Sequence, residues 1–192
     1  MRHLRPALVL IVLFTALTGL LLPLGFSGAA TALVPTLARG SLIEQNGVVV
    51  GSALIGQNFT ADKYLHGRPS ATTDTDPADA TKTIPAPYNA SGSAGSNLGP
   101  TNKALLDRVK EDVAGRTGVP ADAVTTSASG LDPHISPANA ETQVARIAAA
   151  RGTPEARVRE VLATFTEGRL LGLIGEPRVA VLAVNLALDQ LR

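Results

Sequence analysis

The run PALVLIVLFTALTGLLLPLGF, residues 6–26, carries no charged side chain, and its reading decides how the rest of the chain is organised. As a helix rising about 1.5 Å per residue it spans roughly 31 Å, the thickness of a bilayer's hydrocarbon core. Arg2 and Arg5 precede it in a basic tip, residues 1–5. By the positive-inside rule the tip stays in the cytoplasm and all that follows lies on the other side. A cleaved signal peptide has the same layout, and Ala29–Ala32 offers small residues for cleavage. Its apolar region is usually shorter, about 7–15 residues. A retained single-pass anchor is therefore the reading carried forward. Thr15 and Gly19 lie four apart on one face, where small side chains let a second transmembrane helix approach closely.

Residues 27–40 read as a membrane-proximal connector, and residues 41–192 as one soluble α+β domain, expected outside the cytoplasm. The formal net charge is +1, which gives no bulk electrostatic reason to expect nucleic acid. Cysteine is absent, which removes disulfides, thiolate metal ligands and a cysteine nucleophile. Tryptophan is absent too, so the core must be built from aliphatic residues.

SLIEQNGVVVGSALIGQNF (41–59) reads as a hairpin turning at Asn46-Gly47, with Gly51 and Gly56 marking a bulge or a close backbone contact. Residues 66–100 are rich in Gly, Pro, Ser, Thr, Asp and Ala and read as one long loop, of a length that is functional or disordered, with Arg68, Tyr88 and Asn97 in it. Three helices follow. The first lies in TNKALLDRVKEDVAG, with Leu105, Leu106, Val109 and Val113 on one face. The second is capped by Ser136, with Pro137 in its first turn and Gly152 past its end. The third is expected to be capped by Thr153 and stopped near Gly168, with Val158, Val161, Leu162 and Phe165 facing inward. DAVTTSAS (122–129) suggests a short strand, and PRVAVLAVNLALDQLR (177–192) a buried strand with a tail.

The chemistry-bearing residues cluster in SGLDPHISPANAETQ, residues 129–143. No G-x-S-x-G elbow accompanies Asp132, His134 and Ser136, and Asp132 suits a turn-stabilising bond to backbone. A secreted enzyme using Asp132 and His134 is the weakest reading. A zinc site would need His66, His134 and a carboxylate, without any helical or alternating His spacing. SGSAGSNLGPTN precedes a helix start and could cradle an anion through backbone N–H groups, but the P-loop lysine pattern is missing. Gln143 reads as a solvated glutamine on a helix face, and Arg146 and Arg151 as cations suited to the helix C-terminus. No catalytic residue and no metal site emerges.

GSALIGQNF, YLHGRPSA, YNASGSAGSNLGPTN, SGLDPHISPANAETQVARIAAARG and LLGLIGEPRVAVLAVNLALDQL follow one another along nearly the whole chain. Together they resemble the C-subunit family of the Kdp potassium-transporting P-type ATPases. The chain departs from that pattern at Ala94, where SGGSN is the family reading, and at Ala180, where PRVNVL is frequent. The resemblance implies a non-catalytic accessory subunit of a bacterial inner-membrane complex for high-affinity potassium uptake. Its partners would be an ion-conducting subunit, an ATP-hydrolysing P-type subunit and a very small further subunit. It implies a role in assembly and a catalytic-chaperone effect that raises the hydrolysing subunit's ATP affinity, with Gln143 at the matching position. No tightly bound cofactor is implied; ATP would be met only with the catalytic subunit, and potassium is the transported ion. A domain outside the cytoplasm cannot touch cytoplasmic ATP, so the effect would be indirect. Direct nucleotide binding by a cytoplasmic domain is the alternative. On the indirect reading Arg68, Ser96, Asn97, Asp132, His134 and Ser136 belong to a surface docking on the ion-conducting subunit.

Overall fold

The computed structural model describes residues 2–191. It divides into two compact units, one up to Ser52 and one from Ala53.

In the first unit, Leu4–Leu33 forms one apolar helical run, long and apolar enough to cross a membrane. It comprises α1 (Leu4–Ala16), a π turn (Leu17–Leu21) and α2 (Leu22–Leu33), so it extends past the uncharged stretch at both ends. The π turn has a local cause. Pro23 has no N–H to give Gly19 and its ring crowds that carbonyl; widening the ladder, so that Leu22 N donates to Leu17 O, absorbs the misfit. Gly19 sits in this turn, and a Cβ there would lie 4.0 Å from Thr15 Cγ2, which places both on one face. A short α3 (Pro35–Ala38) continues the connector. The hairpin β1 (Leu42–Gln45) and β2 (Val48–Ser52) turns at Asn46 and Gly47, both at positive φ, as that dipeptide predicts. Its register shifts between Ile43 and Glu44, beside Gly51.

The second unit is α+β. A second antiparallel hairpin, β3 (Thr73–Asp76) and β4 (Asp79–Pro85), lies inside the segment read from sequence as one long loop. A surface helix α4 (Lys103–Val113) is capped by Asn102 and contains no buried residue, so its apolar face is only half covered. A 3-10 turn at Ala121–Ala123 stands where a strand was expected in 122–129. The core is built by α5 (Pro137–Arg151), α6 (Glu155–Thr164), α7 (Val181–Gln190) and a three-stranded antiparallel sheet. That sheet has β5 (His134–Ile135) and β6 (Thr166–Glu167) on either side of β7 (Arg178–Ala180).

Ser136 caps α5 as expected, its Oγ accepting from Asn139 N, and Gly152 ends the helix at φ 63°. Two expectations fail for α6: Pro154, not Thr153, takes the cap position, and Phe165 ends the helix before Gly168. The C-terminal run is also corrected, because only Arg178–Ala180 is strand and Val181–Gln190 is the helix α7. Buried Val181, Leu182, Val184, Asn185 and Leu188 repeat at helical spacing, and packing on α6 and β7 overrides the β preference of valine. Leu65, Val144, Ile147, Val158, Val184 and Leu188 are wholly inaccessible and form the centre of the core.

Candidate functional site

Leu65 reaches this centre from a stretch without helix or strand, and that sets the geometry around it. A buried peptide group needs a hydrogen-bond partner, and residues 62–66 have no ladder to supply one. Side chains supply it instead, for five carbonyls in succession. Arg146 Nη1 donates to Asp62 O, Arg151 Nε to Lys63 O (2.7 Å) and Arg146 Nη2 to Tyr64 O (3.0 Å). Asn185 Nδ2 donates to Leu65 O (2.9 Å) and Gln143 Nε2 to His66 O (3.1 Å). The two amides also accept: Leu65 N donates to Asn185 Oδ1 (2.8 Å) and His66 N to Gln143 Oε1 (2.9 Å). Residues 62–66 are thus a strap bolted to α5 and α7 by side chains that imitate a neighbouring strand.

Gln143 is therefore not the solvated glutamine its spacing suggested. Its Nε2 also donates to Asn139 Oδ1 (3.1 Å), and its Oε1 also accepts from Arg146 Nη2 (2.8 Å). Two donors and two acceptor positions are all that a carboxamide has. Arg146 and Arg151 are likewise not explained by the helix end alone; Arg151 Nη1 donates to Leu188 O (2.7 Å) and Nη2 pairs with Asp189 (2.8 Å).

Past the strap, Arg68 Nη1 pairs with Asp132 Oδ2 (3.1 Å), and Arg68 Nη2 donates to Thr126 O (3.3 Å). Asp132 Oδ1 accepts from His134 N across Pro133 (3.0 Å), the turn bond its sequence position predicts. Tyr88, at φ 62°, donates its hydroxyl to Arg68 O (2.7 Å). Burial, with the Asp132 charge adding to it, pushes the Tyr88 pKa up to about 12. The Tyr88 ring lies against Gly56 and its hydroxyl against Gly67, so a Cβ at either glycine would collide with it; at Gly56 it would also stand 2.6 Å from Asp132 O.

Asp122, in the 3-10 turn, is a residue the sequence reading missed. Its carboxylate accepts from Ser136 N (2.8 Å), Ser136 Oγ (2.8 Å) and Asn139 Nδ2 (3.1 Å). Burial opposes its ionisation, but these bonds outweigh burial and its pKa lies below the ordinary carboxylate value. Nothing in its sequence neighbourhood announces this. Asn185 did leave a signal: a lone amide within VLAVNLAL has to find a partner when that run is buried.

Asp132, His134 and Ser136 are close in space but do not form a hydrolytic relay. Ser136 Oγ is directed to Asp122, and burial, with Arg178 next in size, holds His134 below the usual histidine value. Burial likewise lowers His66, which lies 3.1 Å through Nε2 from Ala61 O. Among the described residues no three His, Asp or Glu side chains gather to hold a metal ion. Of the other two candidate docking residues, Ser96 accepts from Thr126 Oγ1 (3.2 Å), and Asn97 is exposed at φ 52°.

A cleft of about 780 Å³ opens beside the strap. Arg68, Arg108, Arg116 and Arg146 line it together with Asp112 and Gln143. Arg108 Nη2 donates to Val124 O (3.3 Å) while its buried Nε has no partner, and Arg116 Nη1 donates to Asp112 O (3.2 Å). Such a wall can attract an anion, but it offers no nucleophile paired with a base. At the start of α4, Asn102 Oδ1 accepts from Ala104 N, which occupies one of the backbone donors of the glycine-rich approach.

Residues 4–190 match the family model described as KdpC, the K+-transporting ATPase c chain. The chain is 60% identical over 195 residues to the Potassium-transporting ATPase KdpC subunit of Rhodopseudomonas palustris, covering 98% of each. It is 60% identical to the protein of the same name from Bradyrhizobium diazoefficiens, covering 99% of this chain and 98% of the relative. The corresponding figure for Methylobacterium nodulans is 62%, covering 100% and 98%.

Proposed function

Since the chain belongs to the KdpC family, the c chain of the K+-transporting ATPase, we propose that it acts as the non-catalytic assembly subunit of a potassium-uptake complex. In this reading the apolar helix stays in the bacterial inner membrane with its basic end in the cytoplasm, and the α+β unit lies outside. Its partners are the ion-conducting subunit, the ATP-hydrolysing subunit and a very small further subunit, and Thr15 and Gly19 form a helix-packing face. The chain binds no cofactor tightly. It raises the ATP affinity of the hydrolysing subunit without touching ATP, by favouring one arrangement of the complex.

The observation that carries this reading is the saturation of Gln143. Both donors and both acceptor positions of its carboxamide are engaged within the chain. A side chain so committed supports shape and cannot bind a nucleotide without surrendering the strap. Gln143→Ala is expected to weaken the ATP dependence of the purified complex through a loosened strap. Gln143→Glu, which cannot donate to His66 O, should do the same. Unchanged potassium-stimulated ATPase activity and ATP dependence in both variants would make Gln143 a bystander.

Direct nucleotide contact is the second reading, favoured by the four arginines of the cleft. It requires the second unit to face the cytoplasm, and any phosphate contact would then fall to the arginines. Protease added to intact spheroplasts separates the two: cleavage of the second unit from outside removes the nucleotide reading, and protection removes the assembly reading's topology.

A further inference from the structure

The four most exposed large apolar side chains after Ala53 occupy a single turn. Leu170, Leu171, Leu173 and Ile174 are 66%, 84%, 84% and 62% exposed. They form the tip of the hairpin between β6 and β7. Single exposed leucines are ordinary; four on one tip mark a contact surface.

The tip is also preformed. Leu170 N donates to Ile174 O (2.8 Å), Gly172 N to Arg169 O (3.1 Å) and Leu173 N to Leu170 O (3.1 Å). Leu171 lies at φ 53°, a region that a branched side chain enters only under strain, and Gly172 and Gly175 follow at 73° and 84°. At the base, Arg169 pairs with Glu176 and Arg178 with Glu167, each at 2.7 Å.

From these observations we propose that residues 169–176 are a docking plug, seated in an apolar pocket on another protein subunit of the ATPase complex. The inference rests on the assembly role above and adds the surface that performs it. A bilayer accepts four aliphatic side chains in any arrangement and gains nothing from a strained, hydrogen-bonded turn. A shaped protein pocket does gain, because the plug arrives already in its bound form. The charges at the base agree. A tip that inserts into lipid profits from unpaired cations reaching headgroups, whereas here each arginine is matched by a glutamate, which leaves a neutral polar rim around an apolar centre.

The chain has no cysteine, so Leu173→Cys supplies its only thiol. Its reaction with a charged maleimide, read as the mass shift of this chain, is followed in nanodiscs for the chain alone and for the co-purified complex. The expected result is rapid labelling alone and labelling slowed at least about tenfold in the complex, as water exclusion at an interface centre requires. Rapid labelling in both, with the complex intact, overturns the plug and leaves the assembly role standing. Slow labelling in both overturns it in favour of the bilayer or a second copy of the chain. If the unsubstituted chain brings down no other subunit, the assembly reading itself falls, and the plug with it.

Discussion

Residues 62–66 turn five carbonyls towards α5 and α7, and each is met by a polar side chain; residues 170–174 turn four apolar side chains outward and leave them uncovered. Neither segment is regular structure over its length, yet both have a defined conformation. In the strap the rest of the fold imposes it, from elements more than 70 residues away in sequence. In the tip it comes from bonds made within a few residues. The strap's order therefore serves the domain's own stability, while the tip's order contributes little to it. Substitutions in the two places should read out differently.

The largest effect is expected at Asn185, which is 1% exposed. Asn185→Ala leaves Leu65 N–H and C=O in the core without partners, at about 1–3 kcal/mol for each group. Urea unfolding of the full chain in detergent should show a loss of roughly 2–6 kcal/mol on that basis. A loss under about 1 kcal/mol, a surface-like value, would mean that the arginines and Gln143 hold the strap alone and would break the contrast with the tip.

The strap shows where the sequence was legible and where it was not. The caps of α5, the Asn46-Gly47 turn and the inward face of α6 depend on neighbours within one helical turn or one hairpin, and these were readable. The β3–β4 hairpin was not, because Asp, Thr and Lys alternate there with almost every side chain exposed and no apolar period to detect. The helix α7 was misread because valine's local preference pointed to strand, although its buried positions repeat helically. The resemblance drew attention to Gln143, but the bond between Gln143 and His66 joins residues 77 apart, which no local pattern encodes.

A middle-sized effect is expected at Asp122, which ties the start of α5 to the turn before it. Its folded pKa lies below the ordinary value of 3.8, so it contributes stability that is complete above that value and is lost as pH falls through the lower folded one. Asp122→Asn removes the charge and gives up one acceptor, at about 1–2 kcal/mol near neutral pH after discounting for a side chain that is partly exposed. Unfolding measured from pH 6 down to pH 2.5 should show wild type and variant converging as the acid limb is crossed. A gap that stays constant with pH would show that the hydrogen bonds to Ser136 and Asn139 do not depend on the charge.

The smallest effect on stability is expected at the tip, and its sign sharpens the comparison most. Leu171 is strained at φ 53°, and its side chain is 84% exposed, so the fold gains almost nothing from a leucine there. Asparagine enters the left-handed region more readily because its short polar side chain can bond locally, and leucine pays about 1 kcal/mol more to do so. Leu171→Asn should therefore leave the isolated chain's stability unchanged or raise it by up to about 1 kcal/mol, while co-purification with the other subunits falls. A change of that kind, towards better folding and poorer assembly, separates a residue that serves a partner from one that serves the domain. A loss of stability on the scale of Asn185→Ala would instead place Leu171 among the residues holding the domain together, and the distinction between strap and tip would dissolve.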